Sequence, residues 1–126
     1  SSLLEMAPSH VRAFPFTAGG ARLPVSVSTL DAQLAGQQTE EPVLVKIDVQ
    51  GTEDRVIAGG RATLGRTAVA IVETSFEPLY EGQVLFDEIH ATMRGLGFTY
   101  HGNLAQLNSP EDGRVLQCDA IFVRSA

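Results

Sequence analysis

The chain has 126 residues, 44% of them hydrophobic, with a formal net charge of −6 and a pI near 4.9. That length suits one domain or part of one, and its longest apolar runs fall far short of the ~20 residues that span a bilayer. Its 9 Lys and Arg are scattered, which excludes the basic patch that non-specific nucleic-acid binding requires.

Residues 1–40 read as irregular, with short strands and one helix. The opening SSLLEMAPSH lacks a basic region followed by an apolar run, so no secretory leader is expected. HVRAFPF is a candidate short strand, confined by Pro15 to an edge or a loop. Gly19-Gly20 marks a turn. LPVSVS alternates apolar and polar residues, as an exposed or edge strand does. In STLDAQLAG, Ser28 or Thr29 can cap a short helix that presents Leu30 and Leu34 on one face and closes at Gly36.

Residues 43–126 read as a βαβα-ββ core. PVLVKIDVQ is the clearest strand. Val43, Leu44, Val45 and Ile47 form the nearly continuous apolar run of a strand covered on both faces. A helix follows, with Glu53 and Asp54 in its first turn where negative charge is favoured. Val56, Ile57 and Leu64 lie on its inner face, and Arg61 and Arg66 toward its far end. Gly59 and Gly60 fall inside it, and close packing on the sheet would explain them. TAVAIVETSF is a second strand of the same kind. VLFDEIHATMRGLG carries Leu85, Phe86, Ile89, Met93 and Leu96 at helical spacing, with Gly97 as the stop. FTYHGNLAQLN and RVLQCDAIFVR flank Asp112-Gly113 and form a terminal hairpin. The fold class is therefore α/β: a partial Rossmann-like sheet of parallel strands finished by an antiparallel hairpin, with helices on its faces.

Chemistry is expected at the carboxyl ends of the two parallel strands, where open α/β sheets bind ligands. Asp48 and Glu73 end neighbouring strands there. Close and buried, they would share a proton, and one of them would have a raised pKa. Either could equally satisfy backbone amides at its own turn. Gln50 could orient an acceptor or tie down its loop, and Gly51 reads as backbone geometry. Glu53 could cap its helix or meet a substrate. Phe76, Leu79 and Tyr80 could wall an acceptor pocket or anchor a loop. His10, His90 and His101 are far apart in sequence and no Cys/His set has metal spacing, so no metal is expected, and His90 reads as a solvated side chain. Cys118 is the sole cysteine. It reads as a core residue in a reducing, cytoplasmic compartment.

The stretch KIDVQGTEDRVIAGG resembles the signature of the FkbM family of S-adenosylmethionine-dependent methyltransferases, close to K-I-D-V-Q-G-x-E-x-x-V-L-x-G. The likeness continues through IVETSFEPLYEGQVLFDEIHATMRGLGF and DGRVLQCDAIFVR. It implies methyl transfer, most naturally to oxygen, onto a small hydroxylated metabolite such as a sugar or polyketide. It implies Asp48, Gln50 and Gly51 near the cofactor, Asp48 and Glu73 as catalytic groups, and Glu53, Phe76 and Tyr80 on the substrate side. The family's glycine-rich D-x-G-A-N-x-G turn does not occur here. The chain therefore reads as a single partial domain, 1–126, from the C-terminal portion of a methyltransferase. It would not hold S-adenosylmethionine fully by itself, and an uncovered sheet edge could pair with another copy. A truncated, non-catalytic interaction module is the alternative reading.

Overall fold

The computed structural model describes residues 2–126. Four strands, β1 (Val43–Ile47), β2 (Thr67–Ser75), β3 (Phe98–Asn108) and β4 (Val115–Arg124), form one mixed sheet in the order β1-β2-β4-β3. β1 and β2 are parallel, and β4 runs antiparallel between β2 and β3. The expected parallel pair and terminal hairpin are both present, as in part of a Rossmann-like sheet.

Strand alternation decides where the core sits. Ala70, Val72 and Thr74 of β2 are buried, as are Leu116, Cys118, Ala120 and Phe122 of β4. With Ile47 and Phe98, Ala70, Val72, Cys118, Ala120 and Phe122 pack in one cluster with Ile57 and Leu64, and with Ile89 and Met93 of the helix Phe86–Gly95. Full burial of each such aliphatic or aromatic side chain stabilises by roughly 1.5–3 kcal/mol. The opposite face carries Val69, Ile71, Glu73, Asp119, Ile121 and Val123, none of them fully buried. Leu44 on β1 is 60% exposed. So β1 is an edge strand covered on one face, not the doubly covered strand that its apolar run suggests. A continuous apolar run records hydrophobicity, not which neighbours are present to cover it.

The helices in chain order are α1 (Pro8–Ala13), α2 (Leu30–Leu34), α3 (Glu53–Ala58), α4 (Arg61–Gly65) and α5 (Phe86–Gly95). The expected strand at HVRAFPF is instead α1 and a 3-10 turn, Pro15–Thr17. Pro8 sits in the first turn of α1, where its missing N–H costs nothing, and Pro15 ends it. LPVSVS belongs to no helix or strand, and its Leu23, Val25 and Val27 are exposed. Its alternation is that of a strand, but without a partner the ladder cannot form.

α2 has the expected cap, Thr29 Oγ1 accepting from Ala32 N at 3.1 Å. The single helix expected after β1 is split into α3 and α4 at Gly59-Gly60, which places Arg61 at a helix start. The glycines pack on α2 rather than on the sheet: a Cβ on Gly59 would come within 3.0 Å of Thr29, and one on Gly60 within 3.0 Å of Leu30. Asp31 locks the join. Its carboxylate accepts from Ala62 N (2.9 Å), Thr63 N (2.8 Å) and Thr63 Oγ1 (2.7 Å), and these bonds hold its pKa below the ordinary value. His90 is not simply solvated. Its ring stacks on Phe86 at 5.5 Å and meets Tyr100 edge-on.

Candidate functional site

β1 and β2 run in register to Ile47↔Val72. The next residues, Asp48 and Glu73, therefore emerge together at the carboxyl rim. Glu73 is also the cross-strand partner of Asp119 on β4. Asp48, Glu73 and Asp119 thus form a row of carboxylates across three strands, on the face that no helix covers.

The row is not evenly charged. Lys46, two residues before Asp48 and on the same side of the strand, donates from Nζ to Asp48 Oδ2 at 3.0 Å. That bond holds the Asp48 carboxyl below its usual range. Among the described residues Glu73 has no cation of its own. Burial first, then the hydrogen bond and charge of Asp48, then Glu53 and Asp119, push its pKa up to about 8. Its Oε2 is buried with no hydrogen-bond donor among the described residues. Two adjacent carboxylates cannot both ionise cheaply. Glu73, the more buried of the two, is therefore the one that holds a proton more readily, beside the ionised Asp48. The pair can take up or release a proton near neutral pH, as a general acid or base must.

The turn after β1 is built around Glu53. Buried at 3% exposure, its carboxylate accepts from Val49 N (3.2 Å) and from Gly51 N (3.2 and 3.0 Å to its two oxygens). It clamps the turn that presents Asp48 and Gln50, which lies before the helix, rather than capping the helix itself as weighed from sequence. Gln50 (φ 54) and Gly51 (φ 113) both take left-handed backbone. At Gly51 glycine is needed twice over, because a Cβ would also lie 3.1 Å from both Leu4 and Tyr80.

Tyr80 closes the site from the loop after β2. It is buried, and its hydroxyl donates to Gln50 Oε1 at 3.1 Å. Burial, and then the charges of Glu73, Glu53 and Asp48, raise its pKa. Gln83 fixes that loop: its Oε1 accepts from Leu79 N (3.1 Å) and Tyr80 N (3.3 Å), and its Nε2 donates to Ser75 Oγ (2.9 Å).

The structure therefore gathers Asp48, Gln50, Gly51, Glu53, Glu73 and Tyr80. Phe76 stands apart from them, 42% exposed and stacked on Phe86 at 5.0 Å. Sequence reasoning missed Lys46, Asp119 and Gln83. The i, i+2 spacing of Lys46 and Asp48 on one strand face was the available signal for the first. The others depend on hairpin register and loop path. No group of three or more His, Cys, Asp or Glu among the described residues is arranged to hold a metal. No described helix is long and apolar enough to cross a membrane.

Two hollows flank the pair. A cleft of about 170 Å3 lies beside Glu73, lined by Asp119, Gln117, Ala105 and Leu107 among others. A larger groove of about 1120 Å3 runs between the N-terminal segment and Gln50 and Tyr80.

Comparison with known proteins gives the chemistry a context. The 2-O-methyltransferase NoeI of Sinorhizobium fredii (strain NBRC 101917 / NGR234) is 44% identical over 63 residues, which are 48% of this chain and 26% of that protein. The aligned stretch is thus about a quarter of the relative's length. No solved structure matches the chain at a significant level. The family model described as the methyltransferase FkbM domain matches residues 2–100, the span that holds the turn, the acidic pair and Tyr80, and the chain belongs to that family.

Proposed function

We propose that these residues supply the acid–base part of an O-methyltransferase acting on a small hydroxylated metabolite, with Glu73 as general base. One observation carries the reading: of two carboxylates at one rim, Asp48 is kept ionised by Lys46 while Glu73 is pushed up to about 8. A base with its pKa near the working pH is the effective one. The acceptor hydroxyl loses its proton to Glu73 as its oxygen gains the methyl group, and the fixed charge of Asp48 keeps Glu73 basic. Similarity to a protein named a 2-O-methyltransferase supports oxygen as the receiving atom. In-line transfer needs alignment. Gln50, Tyr80 and Glu53 would set the acceptor's approach from the β1 side, with Phe76 as a wall further along the rim.

The family resemblance implies S-adenosylmethionine as the methyl donor. The described residues do not fit it as a whole. Gly51 makes a close approach, but to Leu4 and Tyr80 of the chain itself, while Gly19 and Gly20 stand in coil with nothing near them. What the chain offers a donor is the ionised Asp48, suited to an ammonium group; a cradle for the nucleoside would come from other residues of the complete enzyme. A reducing, cytoplasmic setting suits Cys118, a buried thiol pushed up to about 11.

The test is methyl transfer from labelled donor by the full-length protein and its Glu73→Gln variant. Loss of roughly 10²–10⁴-fold in kcat, with donor affinity retained, is expected for a lost general base. A variant within tenfold of wild type would remove Glu73 from the chemistry.

The uncovered face favours a second reading, a non-catalytic module that associates through β1. Leu44 is exposed beside Val69 and Ile71 on the same face, and an unpaired edge strand invites pairing. Sedimentation of this chain distinguishes the two. A concentration-dependent dimer weakened by Leu44→Lys supports self-association, and a monomer at every concentration rejects it.

A further inference from the structure

We infer that Ser2 and His10 are positioning residues of the rim: the segment Ser2–His10 is a strap that ties the turn after β1 to the loop after β2 and so fixes the Gln50–Tyr80 pair beside the two carboxylates. The inference rests on the reading of that rim as the place of methyl transfer and adds the part of the chain that sets its geometry. The strap is a short ladder. Ala7 N donates to Leu79 O and Glu81 N to Glu5 O, both at 2.8 Å, with Met6 opposite Tyr80. Past the ladder, Ser9 Oγ donates to Pro78 O at 2.7 Å. His10 Nδ1 lies 3.3 Å from Leu79 O, and the His10 ring meets Tyr80 edge-on at 5.4 Å. At the other end Ser2 Oγ accepts from Leu4 N at 3.0 Å and donates to Gln50 O. Leu4 Cδ1 then packs on Gly51, 3.1 Å from where a Cβ would stand.

The strap has a strained residue to hold. Gln50 sits at φ 54, a backbone region that residues other than glycine rarely adopt. Such a residue keeps its conformation only where its surroundings over-determine it. Here the Ser2 hydroxyl takes the Gln50 carbonyl, and the Tyr80 hydroxyl takes the Gln50 side-chain oxygen. Tyr80 is held in turn by Met6, His10 and Gln83. Its phenol is buried and feels the charges of Glu73, Glu53 and Asp48. The strap thus reaches the field of the carboxylates through two side chains, one at each of its ends. Polar groups fixed in this way need no reorganisation when the reaction occurs, and a misplacement of about 1 Å is enough to cost ~10²-fold in rate.

The experiment compares Ser2→Ala, Ser2→Thr and His10→Ala in the full-length protein, by NMR of the Gln50 side-chain amide and the Tyr80 ring and by methyl transfer from labelled S-adenosylmethionine. Ser2→Ala should shift and broaden the Gln50 amide, and lower kcat about tenfold, the worth of one hydrogen bond, with KM for the donor unchanged. Ser2→Thr keeps the hydroxyl and should restore both. His10→Ala should move the Tyr80 ring signals more than the Gln50 amide. The backbone amides of β2 and β4 should stay in place in all three. Glu73→Gln should abolish transfer and leave the Gln50 and Tyr80 signals as they are, so the two readings fail separately. The inference is overturned if Ser2→Ala leaves the Gln50 amide and kcat as in wild type, or if Ser2→Thr loses as much as Ser2→Ala. It is overturned equally if the β2 and β4 signals collapse with those of the loops, since the segment is then part of the fold and not a strap on the rim.

Discussion

Asp48 and Glu73 end neighbouring parallel strands, and their surroundings push their carboxyls in opposite directions. Lys46 holds Asp48 in its ionised form, and burial beside that charge leaves Glu73 protonated to about pH 8. The arrangement costs stability. The ordinary glutamate value is 4.5, so between about pH 4.5 and 8 the unfolded chain releases a proton that the folded chain keeps. Stability from this group is complete below the unfolded value and is lost as pH rises through the folded one.

The first prediction follows from that sign. Thermal unfolding of the wild type should weaken from pH 5 to pH 8.5, and Glu73→Gln should flatten the trend. At pH 8.5 the variant should melt higher by about 5 °C, allowing for the partial exposure of the site. Parallel pH profiles for the two proteins would show that Glu73 carries no such strain. If Glu73 is the base proposed above, kcat/KM for methyl transfer by the full-length protein should rise through an apparent pKa near 8. Asp48→Asn should move that pKa down toward the ordinary carboxylate range, because it removes the adjacent negative charge.

Much of this was legible in the sequence because the signals were local. The apolar runs ending in Asp48 and Glu73 located both rims, and parallel pairing brought them together without further help. The Leu85-to-Leu96 stripe gave α5, and Asp112-Gly113 gave the hairpin. What was not legible depended on contacts between distant segments. Gly59 and Gly60 break a helix because Thr29 and Leu30 lie against them, some thirty residues away in sequence. Asp119 joined the site only through the ladder register of β2 with β4. The strand-like alternation of Leu23, Val25 and Val27 found no edge to join, and the apolar face of β1 found no cover.

Glu53 is predicted to matter for the shape of the turn more than for charge. Glu53→Ala removes both oxygens from Val49 N and Gly51 N and leaves buried donors unpaired, at a cost of about 1–3 kcal/mol. Glu53→Gln keeps one acceptor and should cost less than half as much. Urea midpoints at constant m-value decide it. Equal losses for the two variants would mean that packing, not amide capture, sets the role of Glu53.

Gly51→Ala combines two penalties. It places a side chain at φ 113 and a Cβ 3.1 Å from Leu4 and Tyr80. The backbone strain alone is of order 1–3 kcal/mol. Relief must come from moving Tyr80, whose hydroxyl then leaves Gln50. The expected readout is lower stability together with a weakened near-ultraviolet tyrosine signal. Adding Leu4→Ala should restore only part of the loss, since it relieves the crowding and not the backbone angle. Full rescue by the double variant would assign the whole effect to crowding.

Arg124 makes the last prediction, far from the acidic rim. Its guanidinium donates Nε to Thr67 O at 2.8 Å and Nη1 to Leu96 O at 3.1 Å, its Nη2 bonds Leu64 O, and its Cζ lies 4.4 Å from the centre of the Phe98 ring. Leu64 closes α4 and Leu96 follows α5, so one side chain satisfies carbonyls at two helix ends, where a cation is also favoured by the helix dipole. Only a planar fork reaches several acceptors at once. Arg124→Met keeps the stem and loses every donor, and should cost about 2–4 kcal/mol, as each hydrogen bond to a charged group contributes ~1.5–3 kcal/mol and such losses are not additive. Arg124→Lys should recover less than half, because a single ammonium cannot span Thr67, Leu64 and Leu96 together. Amide exchange should accelerate first in the last turns of α4 and α5. If lysine restores full stability, charge at the helix ends is sufficient and the fork geometry is not what joins them.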